Sequence, residues 1–370
     1  MKVKNDYTKT LTNVAASVQK YFDLPQKHNS YHPFDSMLEK YRPENVVIIL
    51  FDGLGANILS RALPENSFLR QNLREVLTTV FPATTAAATS SIRTGLNPVE
   101  HGWIGWTSYI EPIDKIITLF LNSEKCHDDE ICQEFLGVKK LLVSETVTDQ
   151  INQSGHGKSL EITSFSDDPY DDLDDMLSRI KNEVKGPGKK YIYAYDPEPD
   201  GTMHEKGPDS PEVRALIKER DRKISKLATE LHDTLLVVIA DHGHIKNRTV
   251  FLEDYPELLR LMTRTTSIDQ RAAAFKIKSG QKDEFEKLFN ERFGNFYNLY
   301  RSSEVVKSHL FGNGEENPLF RPALGDFLAV AVSDVTITAP GDEPHVSSHA
   351  GYTDDEVLIP FIAKYLPRRS

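Results

Sequence analysis

The residues able to do chemistry fall in four short stretches. Asp52 follows the apolar run VVIILF and precedes Gly53-Leu54-Gly55. Asp200 lies in YAYDPEPDGTMHEKGP, with His204 four residues on. Asp241-His242 follows LLVVIA and precedes Gly243-His244, and His349 stands in SSHAGY near the C-terminal end. Carboxylates and imidazoles are standard ligands for borderline divalent ions such as Zn²⁺. Three aspartates and three histidines can furnish two such sites. Without cations, converging carboxylates repel and shift one another's pKa. With two divalent cations the bare set carries a net charge of about +1, which attracts a phosphate anion.

A nucleophile is offered by VFPATTAAATSSIRTGLNPVEHGW. The Ala/Ser/Thr-rich segment after Pro82 predicts a short helix, with Gly95 as its C-terminal cap. Thr84 or Thr85 then sits at the helix N-terminus. Free backbone N–H groups and the helix dipole there favour a hydroxyl that becomes an alkoxide, and a nearby metal ion would lower its pKa further. An N-cap threonine and a nucleophile are compatible at one place.

These side chains need a frame. Val46–Phe51, Tyr191–Tyr195, Leu235–Ala240 and Phe327–Val332 are apolar on successive residues. That pattern suits strands covered on both faces, as in a parallel sheet. Ligands bind beyond the carboxyl ends of such strands, the place that Asp52 and Asp241 take. Ser210 and Pro211 predict a helix start, and Val213, Leu216, Ile217, Ile224, Leu227 and Leu231 follow at near-helical spacing. An α/β sandwich on a mostly parallel sheet is expected. The aromatic, loop-rich segment from 250 to 340 reads as an inserted cap or lid, with 1–249 and 341–370 forming the core. The acidic stretch Ser166–Asp175 reads as a loop and helix start, since it lacks the Gly and terminal Glu of an EF-hand loop.

Composition narrows the partners. The chain has 370 residues, 39% of them hydrophobic, and a formal net charge of −11. With no long Lys/Arg block, a nucleic-acid polymer is a poor partner, whereas a small phosphate ester can be held by bound metals. The N-terminal segment lacks an apolar signal region, and no run reaches the ~18 to 20 apolar residues of a membrane helix, so cytoplasmic residence without membrane insertion is expected. Cys126 and Cys132, flanking KCHDDEIC, read as two free thiols in a reducing compartment; a metal site using His127 is the weaker alternative.

The order FDG, a threonine with Thr94-Gly95 nine residues on, D-x-x-x-H, A-D-H-G and a late His before Gly-Tyr resembles the alkaline phosphatase superfamily. Within it, the chain is most similar to the type I phosphodiesterase/nucleotide pyrophosphatase group. The resemblance implies an alkaline phosphatase-like three-layer sandwich and two divalent metal sites, Zn²⁺ first and Mn²⁺ second. Asp200, His204 and His349 would hold one ion. Asp52, Asp241 and His242 would hold the other, with Thr85 bridging to it; the nine-residue offset selects Thr85 over Thr84. Two departures are visible. Phe81-Pro82 precedes the threonines, where the family usually has Phe-Pro after the nucleophile, and Ala350 separates His349 from Gly351.

The implied activity is cleavage of phosphate diesters or nucleotide pyrophosphate bonds through a phosphothreonine intermediate, with net retention at phosphorus. A phosphomonoesterase or phosphonate hydrolase is the alternative on the same scaffold, and a catalytically inactive metal-bound protein is the second. A sulfatase is disfavoured by threonine at the nucleophile position and by the distance of both cysteines from it; a phosphomutase stays open, although comparable members use serine and a different insertion. Trp103, Trp106 and Tyr109 are candidates to stack on a nucleobase. Arg93, Lys206, Lys246 and Arg271 receive no role.

Overall fold

The computed structural model describes residues 4–166 and 168–368. Three of the apolar runs become the middle of a six-stranded sheet. In chain order its strands are Asn45–Phe51 (β1), Leu73–Thr78 (β2), Lys158–Ile162 (β3), Lys190–Asp196 (β4), Thr234–Ile239 (β5) and Leu358–Leu366 (β6). Across the sheet they run β2-β6-β5-β1-β4-β3. β5, β1, β4 and β3 are parallel, and β6 pairs antiparallel with both neighbours. Every residue of β1, β4 and β5 is buried, which requires cover on both faces. Two helical layers provide it. Leu11–Tyr21, Thr85–Thr94 and Val147–Ser154 pack with one another, and Pro211–Glu230 packs with Ala56–Ala62 and Leu173–Glu183. The helix expected after Ser210 begins at Pro211, with the Ser210 hydroxyl accepting from the Val213 amide at 3.2 Å. The acidic stretch is a loop leading to a helix at Leu173, capped by Asp172; Asp167 lies outside the described residues.

A second, seven-stranded sheet is antiparallel throughout. Its order is Tyr297–Arg301, Phe327–Ala331, Ala272–Phe275, Ser267–Ile268, Thr107–Ile110, Lys115–Thr118 and Ser123–Glu124. Residues 250–340 thus supply four of the seven strands, and 107–124 supply the other three. Phe327–Ala331 corrects the expectation of a parallel strand. Phe327, Ala329 and Ala331 pack with Phe285 and Phe289, while Leu328 and Val330 face a separate cluster around Phe81 and Ile104. Two-sided burial, which does not depend on strand direction, produced the continuous apolar run.

One buried ion pair ties this sheet to the chain around His349. The Arg271 guanidinium meets the Glu356 carboxylate through Nε at 2.6 Å and Nη2 at 2.8 Å, and both side chains are fully buried. Arg271 also donates to the carbonyls of Ser333 and Val335. Glu356 accepts from the amides of Gly351 and Thr353 and from the Thr353 hydroxyl. Removing one partner leaves the other charge buried and unpaired. Glu356→Gln should therefore lower stability by about 3 to 5 kcal/mol, read as a shifted urea midpoint at unchanged slope.

Candidate active site

Because β5, β1 and β4 are adjacent and parallel, their carboxyl ends lie side by side. Phe51 is in register with Asp196 and Leu50 with Ile239, so Asp52 and Asp241 leave the sheet as neighbours. The turn after β4 leads to the helix Asp200–Lys206, which carries Asp200 and His204 one turn apart on one face. The Asp52 amide donates to the Asp196 carbonyl, and the Asp200 amide to that of Asp52. Asp241 Oδ1 accepts from the amides of Gly53 and His242, both at 3.0 Å. Gly53 has φ +73°, a conformation that side chains rarely adopt, and a Cβ there would lie 3.2 Å from Asp200 Cβ, so glycine lets the turn pass close to Asp200.

The predicted nucleophile helix spans Thr85–Thr94, with Thr84 at the N-cap and Gly95 in the left-handed region after its end. Thr85 Oγ1 lies 3.3 Å from Asp52 Oδ2 and 3.2 Å from His242 Nε2. The Thr84 hydroxyl points elsewhere and donates to Asp269 Oδ2 at 3.1 Å. Geometry thus separates the two threonines as the family offset does. Tyr195, the penultimate residue of β4, donates its hydroxyl to Asp52 Oδ2.

The histidines are oriented through Nδ1. His204 Nδ1 lies 3.0 Å from the Ser347 carbonyl, His242 Nδ1 3.1 Å from that of Gly243, and His349 Nδ1 3.2 Å from that of Ala83. A carbonyl only accepts, so the hydrogen-bond network assigns the proton to Nδ1 and leaves the Nε2 lone pair facing the carboxylates. His242 Nε2 is 3.3 Å from Asp52 Oδ1, His204 Nε2 is 3.5 Å from Asp200 Oδ2, and His349 Nε2 is 3.8 Å from Asp200 Oδ1. Lone pairs facing carboxylate oxygens repel unless a cation lies between them. Asp241 Oδ2, buried and without a hydrogen-bond partner among the described residues, adds to the same demand. Burial, reinforced by Asp241 and Asp200, pushes the Asp52 carboxyl well above its ordinary range, and burial raises Asp241 as well. Burial, reinforced by His242, drives His349 well below the usual imidazole value. Neutral imidazoles with aimed lone pairs, beside carboxylates short of counter-charge, fit divalent metal ions.

Six of the predicted residues and Thr85 thus converge. A seventh candidate ligand, His244, had no place in the resemblance. Its Nε2 contacts Asp200 Oδ1, its Nδ1 lies 3.0 Å from Ser347 Oγ, and burial holds its pKa down at about 4. Asp200, His204, His244 and His349 bring one ligand atom each within 4.8 Å of one another, and so do Asp52, Asp200 and His242. The signal was the second histidine of Asp-His-Gly-His, two residues after a recognised ligand.

A cavity of about 390 Å³ opens from Thr85, Asp200, His204 and His349 toward the second sheet. Trp106 lines it and is 44% exposed. Trp103 is buried with its indole N–H on the Val143 carbonyl, and Tyr109 lies under the Arg264 guanidinium, so neither joins Trp106. Arg93 pairs with Glu161, and Lys206 and Lys246 are exposed. Cys126, on the cavity wall, and Cys132 are both free thiols.

Paired strand-end aspartates and imidazoles, facing a threonine at a helix N-terminus, define a hydrolase of phosphate esters on an α/β frame. The family model described as type I phosphodiesterase / nucleotide pyrophosphatase matches residues 46–353, and the chain belongs to that family. A relative from Schizosaccharomyces pombe, described as an uncharacterized pyrophosphatase/phosphodiesterase, is 24% identical over 306 residues; the match covers 73% of this chain and 60% of the relative. Murine ectonucleotide pyrophosphatase/phosphodiesterase 5, solved as an inactive variant in complex with AMP, shares the fold at TM-score 0.64 and 21% identity, covering 86% of this chain and 87% of that one. Phosphonoacetate hydrolase from Sinorhizobium meliloti 1021, in complex with phosphonoformate, matches at TM-score 0.64 and 14% identity over 88% and 91%.

On the cavity wall, burial raises the Asp269 carboxyl from 3.8 to about 6. Its folded value lies above its unfolded one, so the ionised group costs stability above pH 6. That cost fades as pH falls toward 4. Asp269→Asn should thus gain on the order of 1 kcal/mol at pH 7.5, after discounting for partial exposure, and most of the gain should vanish near pH 4. Thermal unfolding at the two pH values measures it.

Proposed function

We propose that the chain hydrolyses phosphate diesters, or the pyrophosphate bonds of nucleotides, with Thr85 as nucleophile and two divalent metal ions, Zn²⁺ first and Mn²⁺ second. The observation that carries this reading is Thr85 Oγ1 at 3.2 to 3.3 Å from His242 Nε2 and Asp52 Oδ2, at the first position of its helix and on the edge of the cavity. Asp200, His204 and His349, with His244 beside them, would hold one ion; Asp52, Asp241 and His242 would hold the other. When bound, such ions supply positive charge to the phosphate oxygens and lower the pKa of nearby hydroxyl groups.

The protein's own groups do the rest. Asp52 and His242 fix the rotamer of Thr85 and aim Oγ1 into the cavity. Oγ1 attacks phosphorus, the bond to the departing oxygen breaks in line, and a phosphothreonine forms. The first-turn amides of the helix lack intrahelical acceptors and offer N–H groups to a nonbridging oxygen. Water then displaces Thr85, and two inversions give retention at phosphorus. Tyr195 keeps Asp52 in place throughout. The segment 250–340 acts as the cap, contributing Thr266–Gln270 to the cavity wall.

Charge favours a diester over a monoester. Among the described residues lining the cavity, Lys125 is the one lysine or arginine, and its Nζ is bound to Asp342 Oδ1 at 2.6 Å. A monoester dianion brings one more negative charge than a diester and finds no spare cation. A carboxylate-bearing phosphonate meets the same obstacle.

Thr85→Ala should lose on the order of 10³-fold or more in kcat on bis(p-nitrophenyl) phosphate, and its quenched digests should lack phosphothreonine. An inactive metal-bound protein would show no difference between the two forms. Elemental analysis should find about two divalent ions per chain. Chelation should abolish turnover and re-addition of Zn²⁺ or Mn²⁺ restore it. A monoester cleaved much faster than the diester in parallel assays would overturn the substrate reading.

A further inference from the structure

We propose that Asn5 and Tyr7 are positioning residues for the proposed nucleophile: the segment Lys4–Tyr7 is a strap that fixes the backbone approaching Thr85 against the loops carrying Asp241 and His349. This rests on the reading of Thr85 as nucleophile. It adds residues outside 46–353, the stretch that the family model matches.

The chain reaches Thr85 from β2 through Thr79, Val80, Phe81, Pro82, Ala83 and Thr84. None of these six residues lies in a strand or helix, so their backbone groups depend on partners elsewhere. The strap supplies two such partners. The Asn5 side-chain amide donates to the Thr79 carbonyl at 2.6 Å, and the Tyr7 hydroxyl accepts from the Phe81 amide at 3.2 Å. Thr79 and Phe81 are both fully buried. Between these two contacts, the Asp6 amide donates to Thr78 Oγ1 at 2.8 Å. The Tyr7 hydroxyl also donates to the Leu310 carbonyl at 2.8 Å, while its ring packs against the core of the central sheet. Phe81 and Leu310 belong to the cluster under the second sheet, so one hydroxyl joins the two cores at the approach to Thr85.

Each contact leads on to a reactive group. Thr79 gives its own hydroxyl to the Asp241 carbonyl. Phe81 stands four residues before Thr85 and two before Ala83, whose carbonyl faces His349 Nδ1. Lys4 holds the third side. Its amide donates to the Tyr352 hydroxyl at 2.7 Å and its Nζ to the Tyr352 carbonyl at 3.0 Å, three residues after His349. The Tyr352 ring in turn meets Phe81 edge-on, with centroids 5.4 Å apart. Four consecutive residues therefore tie together the chain around Asp241, Thr85 and His349, from behind the cavity. An attacking oxygen must lie in line with the departing one, and a displacement of about 1 Å costs on the order of 100-fold in rate. Losing the Tyr7 hydroxyl unpairs an amide and a carbonyl at once and frees that approach to relax.

The test uses the full chain loaded with Zn²⁺. Tyr7→Phe keeps the ring and removes the hydroxyl. Its kcat on bis(p-nitrophenyl) phosphate should fall about tenfold or more, with KM within about twofold and metal content per chain unchanged. Asn5→Ala should lower kcat in the same way. Lys9→Gln, which loses an ion pair to Glu75 on β2, should match the unsubstituted chain. Unchanged kcat in both Tyr7→Phe and Asn5→Ala, whatever the melting temperature does, would overturn the proposal and leave the diesterase reading intact. Amide hydrogen exchange is a second readout that needs no turnover. If the unsubstituted chain cleaved no diester, the diesterase reading would fail and exchange would decide the strap. Faster exchange over 79–88 and 349–352 in Tyr7→Phe supports it, and unchanged exchange refutes it.

Discussion

The structure depends on one electrostatic constraint: three carboxylates and four imidazoles, most of them buried, are gathered where adjacent parallel strands end. Asp52, Asp241, His242 and His244 are nearly inaccessible to solvent. Such a concentration of acceptors is costly in a protein interior unless positive charge is brought in. The central sheet tolerates it because β1, β4 and β5 are apolar along their whole length and confine the polar groups to one edge. A cation bound only by the assembled cluster would stabilise the fold that assembles it.

The proposed nucleophile and the candidate ligands are held by shared backbone contacts. The Ala83 carbonyl, two residues before Thr85, accepts from the Ala350 amide at 2.8 Å and faces His349 Nδ1 at 3.2 Å. Ser347 does the same for two more histidines: its carbonyl faces His204, and its hydroxyl faces His244 while donating to the Met203 carbonyl. The Arg271–Glu356 pair then clamps the chain just after His349. A shift of this loop would move His349 and the start of the Thr85 helix together. Precision of this kind is what in-line attack demands.

The sequence displays the central part of this arrangement. Continuous apolar runs marked β1, β4 and β5, and the aspartates directly after them marked the strand ends, because two-sided burial and strand termination leave local signatures. His244 was legible only as the second histidine of Asp-His-Gly-His, and its place in the cluster was not, since that comes from contact with Asp200, 44 positions away, and from the Ser347 hydroxyl, 103 positions away. Nor was the second sheet, whose strands Thr107–Ile110 and Ser267–Ile268 are short and pair across a long separation. Trp103, Trp106 and Tyr109 look equivalent in sequence; tertiary packing alone exposes Trp106 to the cavity and engages the other two elsewhere.

This division carries a consequence for how substrate preference is set. The seven converging groups and Thr85 all follow central strands, open the Thr85 helix, or lie at 349 in the chain leading to β6. Much of the far cavity wall comes instead from the second sheet and its loops, through Trp106, Asp128 and the stretch Thr266–Gln270. Asp269 reaches the start of the Thr85 helix through the Thr84 hydroxyl, whereas Trp106 and Asp128 make no contact with the carbonyls of Ala83, Gly243 and Ser347 that face the histidines. The charge of the wall at Asp128 can therefore change without disturbing the cluster, because different parts of the chain build the two, while a change at Asp269 touches both. An acidic wall opposite the Asp/His cluster would bear on the substituent of an ester separately from the chemistry at phosphorus.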